Sequence, residues 1–282
     1  MAGKIAVLGS TVIEIKGYTE DEFNPKKDNL GKIEISYGGP GKKIAENLGN
    51  LKLSPNYIST NESNNFGSDL RVKLEESGVD TTYLLPVKSG GVGKSISFKS
   101  NLGEISHSLK ELRDNSHLEK YLEKYGEKFS REFDVLILEL ELGEEISRKA
   151  INFFKKNKKR IFIYSIDLLN KCSEYSIFED VECILLSEKS ATILLDCDVA
   201  SMEIHQIQKS FKEFIKNNSA RRGIIVLHQR GTVFYDNVLN QSNFLETNNE
   251  GDSTLVIDNE LLFSSVVAKL LKEEDLRDAI IF

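Results

Sequence analysis

Gly31-Lys32-Ile33-Glu34-Ile35-Ser36-Tyr37 leads into Gly38-Gly39-Pro40-Gly41, and Lys42-Lys43-Ile44-Ala45-Glu46-Asn47-Leu48 follows at once. Lys32 to Tyr37 alternates apolar and polar residues, the period-two pattern of a half-buried strand. Ile44, Ala45, Leu48 and Leu51 then recur at helical spacing. The segment therefore reads as strand, glycine turn and helix. Glycine lets backbone approach a ligand closely, and a helix N-terminus favours anions or polar hydroxyls. A tight turn also needs glycine, so the motif alone does not decide a function. It fits neither the phosphate-loop pattern G-x-x-x-x-G-K-[ST] nor the dinucleotide pattern G-x-G-x-x-G after a first strand.

Upstream, Lys4 to Leu8 is an apolar strand ending at Gly9, and Val12 to Ile15 is a second. The polar stretch Thr19 to Asn29, with Pro25, reads as an exposed loop. Downstream, Tyr57 to Ser59 is a short strand and Phe66 to Ser77 an amphipathic helix closed by Gly78. Ile96 to Lys99 and Glu104 to Leu109 flank Ser100-Asn101-Leu102-Gly103 as a hairpin. After a charged helix, Leu118 to Phe129, the run Asp134 to Leu140 reads as a strand buried on both faces. Helix and strand then alternate: Glu144 to Lys156, Arg160 to Tyr164, Leu168 to Tyr175, Cys183 to Leu186, Lys189 to Leu195, Met202 to Lys216, Gly223 to Leu227. A hairpin piece, Thr232 to Asp236, and helices Leu261 to Leu271 and Glu274 to Ile281 end the chain. Such alternation predicts an α/β fold, a mostly parallel sheet covered on both faces. The basic run Lys155 to Arg160 reads as a solvated helix end favoured by the macrodipole.

With 282 residues the chain is long enough to bury a large core without disulfides or metals. The excess of 44 acidic over 37 basic residues argues against generic nucleic-acid binding, which needs cations against phosphates. No apolar run is long enough to span a membrane, and the N-terminus lacks the features of a secretory signal. Cys172, Cys183 and Cys197 show no C-x-x-C spacing and suit a reducing compartment. His107, His117, His205 and His228 form no zinc-binding pattern, so no metal site is expected. A cytoplasmic location is the expectation.

Val7-Leu8-Gly9-Ser10 with Ile13-Glu14-Ile15-Lys16-Gly17, followed by Gly31 to Leu48, resembles the ribokinase-like (PfkB) sugar kinases, and within them the pseudouridine kinase branch. The resemblance continues through Phe66-Gly67, Glu75 to Thr81, Ser97 to Leu109, Asp134 to Leu140 and Phe263 to Ile280. It implies a single ribokinase-like domain over residues 1–282: a three-layer sandwich with a small β lid from about 12–37 and 92–110. It also implies phosphoryl transfer from ATP, with magnesium, to a hydroxymethyl group of a small-molecule sugar or nucleoside. Such catalysis is positioning plus charge stabilisation.

Compared position by position, the family's site is altered. Val12 stands where the first substrate Asn is expected, and Glu14 where the substrate Asp is. Gly38, Gly39 and Gly41 keep the glycine turn, but Lys43 replaces the Asn that closes it. The N-x-x-E stretch becomes Glu188-Lys189-Ser190-Ala191, which loses the acid. His228 takes the nucleotide-loop glycine position, with Gly231 following. The G-A-G-D turn becomes Ile257-Asp258-Asn259-Glu260, where a β-branched Ile resists the backbone angles glycine supplies. Asp252, in Glu250-Gly251-Asp252-Ser253, is a rival for the base, but it leaves extra residues before the helix. The chain is also expected to stop short of the family's last helix.

Three readings follow. The first is a kinase homologue with weak or lost transfer that still binds a ligand or partner, because losses at several places are hard to compensate when groups act as a unit. The second is a divergent active kinase with ATP and magnesium, Glu260 or Asp258 as base, and Glu14 and Lys43 holding the substrate. The third is a structural subunit that pairs with a second copy through lid strands, since an exposed edge is ready to pair. Glu14 is singled out because a carboxylate amid Val12, Ile13 and Ile15 needs a partner. Glu188, His228 and Gly231 are the nucleotide-side candidates, although Glu188 and His228 also read as surface residues at strand ends.

Overall fold

The computed structural model describes residues 3–99, 105–168, 175–228, 230–246 and 258–280. In chain order its elements begin β1 (Ile5–Leu8), β2 (Val12–Thr19), β3 (Gly31–Gly38), α1 (Pro40–Asn50), β4 (Asn56–Glu62), α2 (Asn65–Glu76), β5 (Leu84–Val87), β6 (Gly93–Lys99) and β7 (Ile105–Glu111). They continue with α3 (Ser116–Glu132), β8 (Val135–Glu139), α4 (Glu144–Lys156), β9 (Arg160–Ser165), β10 (Cys183–Ser187), α5 (Glu188–Leu195) and α6 (Ile204–Asn217). Last come β11 (Arg222–Leu227), β12 (Gly231–Asp236), β13 (Gln241–Glu246), α7 (Asn259–Leu270) and α8 (Leu276–Ile280).

Nine strands form one sheet in the order β13-β12-β11-β10-β9-β8-β1-β4-β5. The run from β11 to β5 is parallel, and the β12 and β13 hairpin adds antiparallel strands at one edge. The central strands are buried on both faces, so their side chains divide by parity between two cores. Val7, Ile137 and Phe162 face the layer of α1, α2, α7 and α8, where Ile44, Leu70, Phe263 and Leu276 meet them. Leu8, Leu138 and Ile163 face the layer of α3, α4, α5 and α6, where Leu122, Phe154, Leu194 and Phe211 meet them. This is the three-layer α/β arrangement that alternation of strand and helix predicts. In α4, Glu144 and Glu145 open the first turn and Lys155 and Lys156 close the last, which complements the helix dipole at both ends.

A separate four-stranded sheet has the order β3-β2-β6-β7. Its strands lie on the four segments read as lid strands. β2 leaves the end of β1 after a short link, and β3 returns directly into α1, so the small sheet is hinged over the carboxyl ends of the main strands. Ligand crevices in open α/β sheets lie at those ends. Two strands escaped the sequence reading. Pro86 weakens the strand pattern of β5, and β13 is an edge strand of exposed and half-exposed residues without clean alternation. The hairpin loop read at 100–103 and part of the helix read at 168–175 lie outside the described residues.

Candidate active site

Gly39, at φ +102°, turns the chain from β3 into α1, with Pro40 opening the helix. Gly41 lies so close to Gly9 that a Cβ on it would overlap the Gly9 backbone. A Cβ on Gly38 would overlap the Glu14 carboxylate, which therefore lies across that glycine. Glu14 accepts from Ser36 Oγ at 3.4 Å and pairs with Lys16 Nζ at 2.7 Å. Glu14 therefore lies directly against the glycine turn, at the root of the small sheet.

Lys43 projects from the first turn of α1 toward α7, and its Nζ stands 3.7 Å from Glu260 Oε2. Glu260 is the second residue of α7 and only 7% exposed. Asp258 plays a different part, as the N-cap of α7, with its Oδ1 accepting from Leu261 N at 2.8 Å. That hydrogen bond satisfies an otherwise orphaned helix donor and leaves Glu260 as the buried carboxylate of the pair. Asp252 and Ile257 lie outside the described residues.

Three site residues were missed in the sequence. Glu139, at the end of β8, is 2% exposed. Its Oε2 accepts from Ser10 N at 2.7 Å and Gly41 N at 2.8 Å, and its Oε1 from Ser10 Oγ at 2.5 Å. It ties the chain after β1 to the N-terminus of α1 and so fixes the floor of the crevice. Glu141, two residues on, accepts from Ser165 Oγ at 2.7 Å, Ile166 N at 2.8 Å and Asp167 N at 2.9 Å through Oε1, while its buried Oε2 has no partner. Burial, followed by the charge of Glu139, holds the Glu141 carboxyl above its usual range. Tyr164, on β9, is fully buried, and its phenol is raised by burial and then by Glu260 beside it. Its hydroxyl faces Glu260 without reaching full hydrogen-bond geometry, and buried Asn259 Oδ1 is also unpaired. Unpaired buried polar atoms are costly, so three of them around the head of α7 mark a place suited to a polar ligand. The signal for Glu139 was present: a carboxylate between Leu138 and Leu140 is the same anomaly that singled out Glu14.

The nucleotide-side candidates group elsewhere, near the carboxyl ends of β10 and β11. Glu188, the first residue of α5, pairs with Arg230 Nη2 at 3.0 Å. Arg230 also donates to Met202 O and Val199 O, both at 2.8 Å. His228 is exposed and sits at φ +28°. Gly231, at φ +133°, packs where a Cβ would overlap Leu245 O, so the β12–β13 approach already explains that glycine. Ala191 is completely buried in the core, where no charge could replace it cheaply. Among the described residues no group of three or more His, Cys, Asp or Glu side chains is placed to hold a metal ion.

Residues 2–282 match the pfkB family of carbohydrate kinases. The chain belongs to that family. It is 24% identical over 292 aligned positions to guanosine-inosine kinase of Exiguobacterium acetylicum, covering 98% of this chain and 90% of that protein. It is 28% identical over 141 positions to pseudouridine kinase of Escherichia coli strain K12, covering 50% of this chain and 45% of that protein. Ribokinase of Arabidopsis thaliana, solved with ribose and ATP, superposes with a TM-score of 0.81 at 12% identity, covering 99% of this chain and 89% of that one. The family and the ribokinase-like fold are those the motifs pointed to. No helix among the described residues is long and apolar enough to cross a membrane.

Proposed function

We propose that the crevice binds a nucleoside and that phosphoryl transfer from ATP to its hydroxymethyl group is slow, with Glu260 accepting the hydroxyl proton. The carrying observation is the placement of Glu260: a carboxylate 7% exposed at the head of α7, with Lys43 Nζ 3.7 Å away on the helix that the glycine turn begins. A buried carboxylate with one cationic neighbour, beside unpaired polar atoms of Glu141, Tyr164 and Asn259, is suited to receiving a substrate hydroxyl. Glu14 across Gly38 supplies an acceptor for further hydroxyls. The nucleoside class is supported by the similarity to guanosine-inosine kinase and pseudouridine kinase.

The slow rate is supported by what surrounds the nucleotide side. Ala191 provides no acid there, Glu188 is engaged by Arg230, and Asp258 and Glu260 place negative charge near an incoming triphosphate. Loss of one oxyanion donor alone costs about 10²–10³ in rate.

The test is a thermal-shift and product-formation panel with purified protein, ATP, magnesium, inosine, guanosine, pseudouridine and ribose. A ligand that binds only the folded state raises its melting temperature. The expected result is stabilisation by nucleosides and turnover well below about 1 s⁻¹, the lower end of ordinary kinases. Turnover at or above that rate overturns the slow reading, and the absence of nucleoside binding overturns the whole assignment.

A further inference from the structure

Tyr164 stands on β9 with its side chain turned to the layer of α1, α2, α7 and α8, in register with Glu139 on the neighbouring strand. It is fully buried, although a tyrosine carries a polar end that has to be satisfied. Its ring packs against Phe263 of α7, with centroids 5.2 Å apart. Phe263 lies about one helical turn beyond Glu260 and shares its face of α7, so the same packing brings the Tyr164 hydroxyl to the Glu260 carboxylate. That turn of the helix is itself fastened. Ser264 Oγ donates to Glu260 O at 2.7 Å, and Asp258 caps the helix end.

The Tyr164 hydroxyl has no completed hydrogen bond. The charged groups that act on it are all acids: Glu260 first, then Glu141 and Asp258. Burial and these charges hold the phenol well above its usual range, so it keeps its proton and serves a carboxylate only as a donor. Glu141 Oε1 already accepts from Ser165 Oγ, Ile166 N and Asp167 N, and Asp258 Oδ1 is taken by the helix cap. Glu260 has Lys43 Nζ at 3.7 Å, which is an ion pair outside hydrogen-bond range. The packed ring leaves the phenol little room to swing, whereas the glutamate chain is free to adjust. Catalytic hydrogen bonds are often long before substrate arrives and tighten in the complex.

We propose that Tyr164 is the positioning residue of the base: its hydroxyl donates to the Glu260 carboxylate once the crevice is filled and holds one carboxylate oxygen toward the substrate hydroxyl. The inference rests on the reading of Glu260 as proton acceptor given above. Tyr164 keeps its own proton throughout, and the substrate proton goes to Glu260. Lys43 brings charge from α1 on a flexible stem, and Tyr164 brings direction from a strand in the middle of the sheet.

The experiment compares wild type, Tyr164→Phe, Glu260→Gln and the double variant in single-turnover assays with ATP, magnesium and inosine. Inosine affinity by calorimetry and thermal unfolding are recorded for each. Phenylalanine keeps the ring on Phe263 and removes only the hydroxyl. Tyr164→Phe is expected to lower the single-turnover rate about tenfold, less than the ~10²-fold that a misplacement near 1 Å costs. Inosine affinity should stay within about twofold, and the melting temperature should not fall, because the group removed is a buried hydroxyl without a partner. In the Glu260→Gln background the same substitution should change the rate by less than about twofold, since a group that acts through another has nothing left to act on. An unchanged rate in Tyr164→Phe beside a large fall in Glu260→Gln overturns the proposal and leaves Glu260 as the base. A tenfold fall that recurs in the Glu260→Gln background overturns it as well. An unchanged rate in Glu260→Gln, or no transfer by wild type, removes the base reading and this one with it. Should Tyr164→Phe not fold, a crystal structure of wild type with inosine decides. Tyr164 Oη within about 3 Å of a Glu260 carboxylate oxygen is expected there, and a hydroxyl turned to Glu141 or to the ligand instead overturns the proposal.

Discussion

Lys43 Nζ and Glu260 Oε2 stand 3.7 Å apart across the gap between the first turn of α1 and the first turn of α7. The two helices pack against each other, so this pair closes one end of the crevice. Replacing Glu260 by Gln keeps the shape and removes the proton acceptor. The expected result is a fall in single-turnover rate of about 10²–10⁴, the usual contribution of general base catalysis, with nucleoside affinity retained. Quenched single-turnover assays with radiolabelled ATP measure it. A rate unchanged in Glu260→Gln would remove Glu260 from the chemistry.

Asp258 should behave in the opposite way. Its Oδ1 caps α7 at Leu261 N, and the side chain is exposed. Asp258→Ala is expected to cost about 1 kcal/mol of stability, the typical worth of an N-cap, while turnover does not fall and rises modestly as a negative charge near the triphosphate is removed. Urea unfolding monitored by circular dichroism, beside the same assay, separates cap from base. A collapse of turnover with no loss of stability would make Asp258 the catalytic group instead.

Glu139 links two segments far apart in sequence through three hydrogen bonds, to Ser10 N, Ser10 Oγ and Gly41 N. Glu139→Ala leaves Ser10 N and Gly41 N without their acceptor beneath the crevice. Hydrogen bonds to a charged group are worth about 1.5–3 kcal/mol each and are not additive within one cluster, so a total loss near 3 kcal/mol is expected. Glu139→Gln, which keeps an acceptor, should lose less. Calorimetric unfolding of both variants checks the order, and equal melting temperatures for wild type and Glu139→Ala would deny the carboxylate any tying role.

The contrast between Glu14 and these residues shows how far the sequence could be read. The glycine turn and its flanking strand and helix were legible because period two and period 3.6 change over within Lys32 to Leu51. Glu14 was legible because a carboxylate among β-branched neighbours is anomalous. Glu139 carried the same anomaly, but a buried strand is read first as uniformly apolar, and the acid at its end looked like a boundary. Glu141, between Leu140 and Leu142, repeated the anomaly of Glu139 and was passed over in the same way. Tyr164 had no local signal at all; it matters because β9 places it opposite Glu139 in the sheet register. Pairing of that kind is a property of topology. The nucleotide-side candidates illustrate the converse: Gly231 looked like a loop glycine, and its need for glycine comes from the β12–β13 approach.

The small sheet makes a further expectation about assembly. In register, Ile35, Ile15, Ile96 and Leu109 form one row across all four strands, and Ile33 and Phe98 lie in the next row on the same face. Ile33 is 72% exposed and Leu109 70%, and both edge strands, β3 and β7, leave a side unpaired. We propose pairing with a second copy of the chain through this face. Sedimentation equilibrium should give twice the chain mass, and Leu109→Glu with Ile33→Lys should return it to one. A monomer at all protein concentrations would refute the pairing without touching the reading of the crevice.

Glu141 gives the molecule a pH dependence of unusual sign. Burial and the neighbouring charge of Glu139 raise its pKa in the folded state. A raised folded value means that the native protein holds the proton where the unfolded chain has released it. The stabilising contribution is therefore fully present below the ordinary glutamate range and is lost as pH rises through the raised folded value. Most carboxylates in a folded protein act the other way. Glu141→Gln mimics the protonated form and keeps an oxygen for Ser165 Oγ, Ile166 N and Asp167 N. The variant and wild type should melt together near pH 4, about the unfolded glutamate value. Toward neutral pH the variant should become progressively the more stable, because only wild type must bury a charge. Melting curves of both proteins at half-unit steps of pH measure the difference. A gap that is constant with pH would mean that Glu141 titrates alike in both states, and a gap that reverses, with wild type gaining on the variant as pH rises, would mean that its charge is stabilised where it stands.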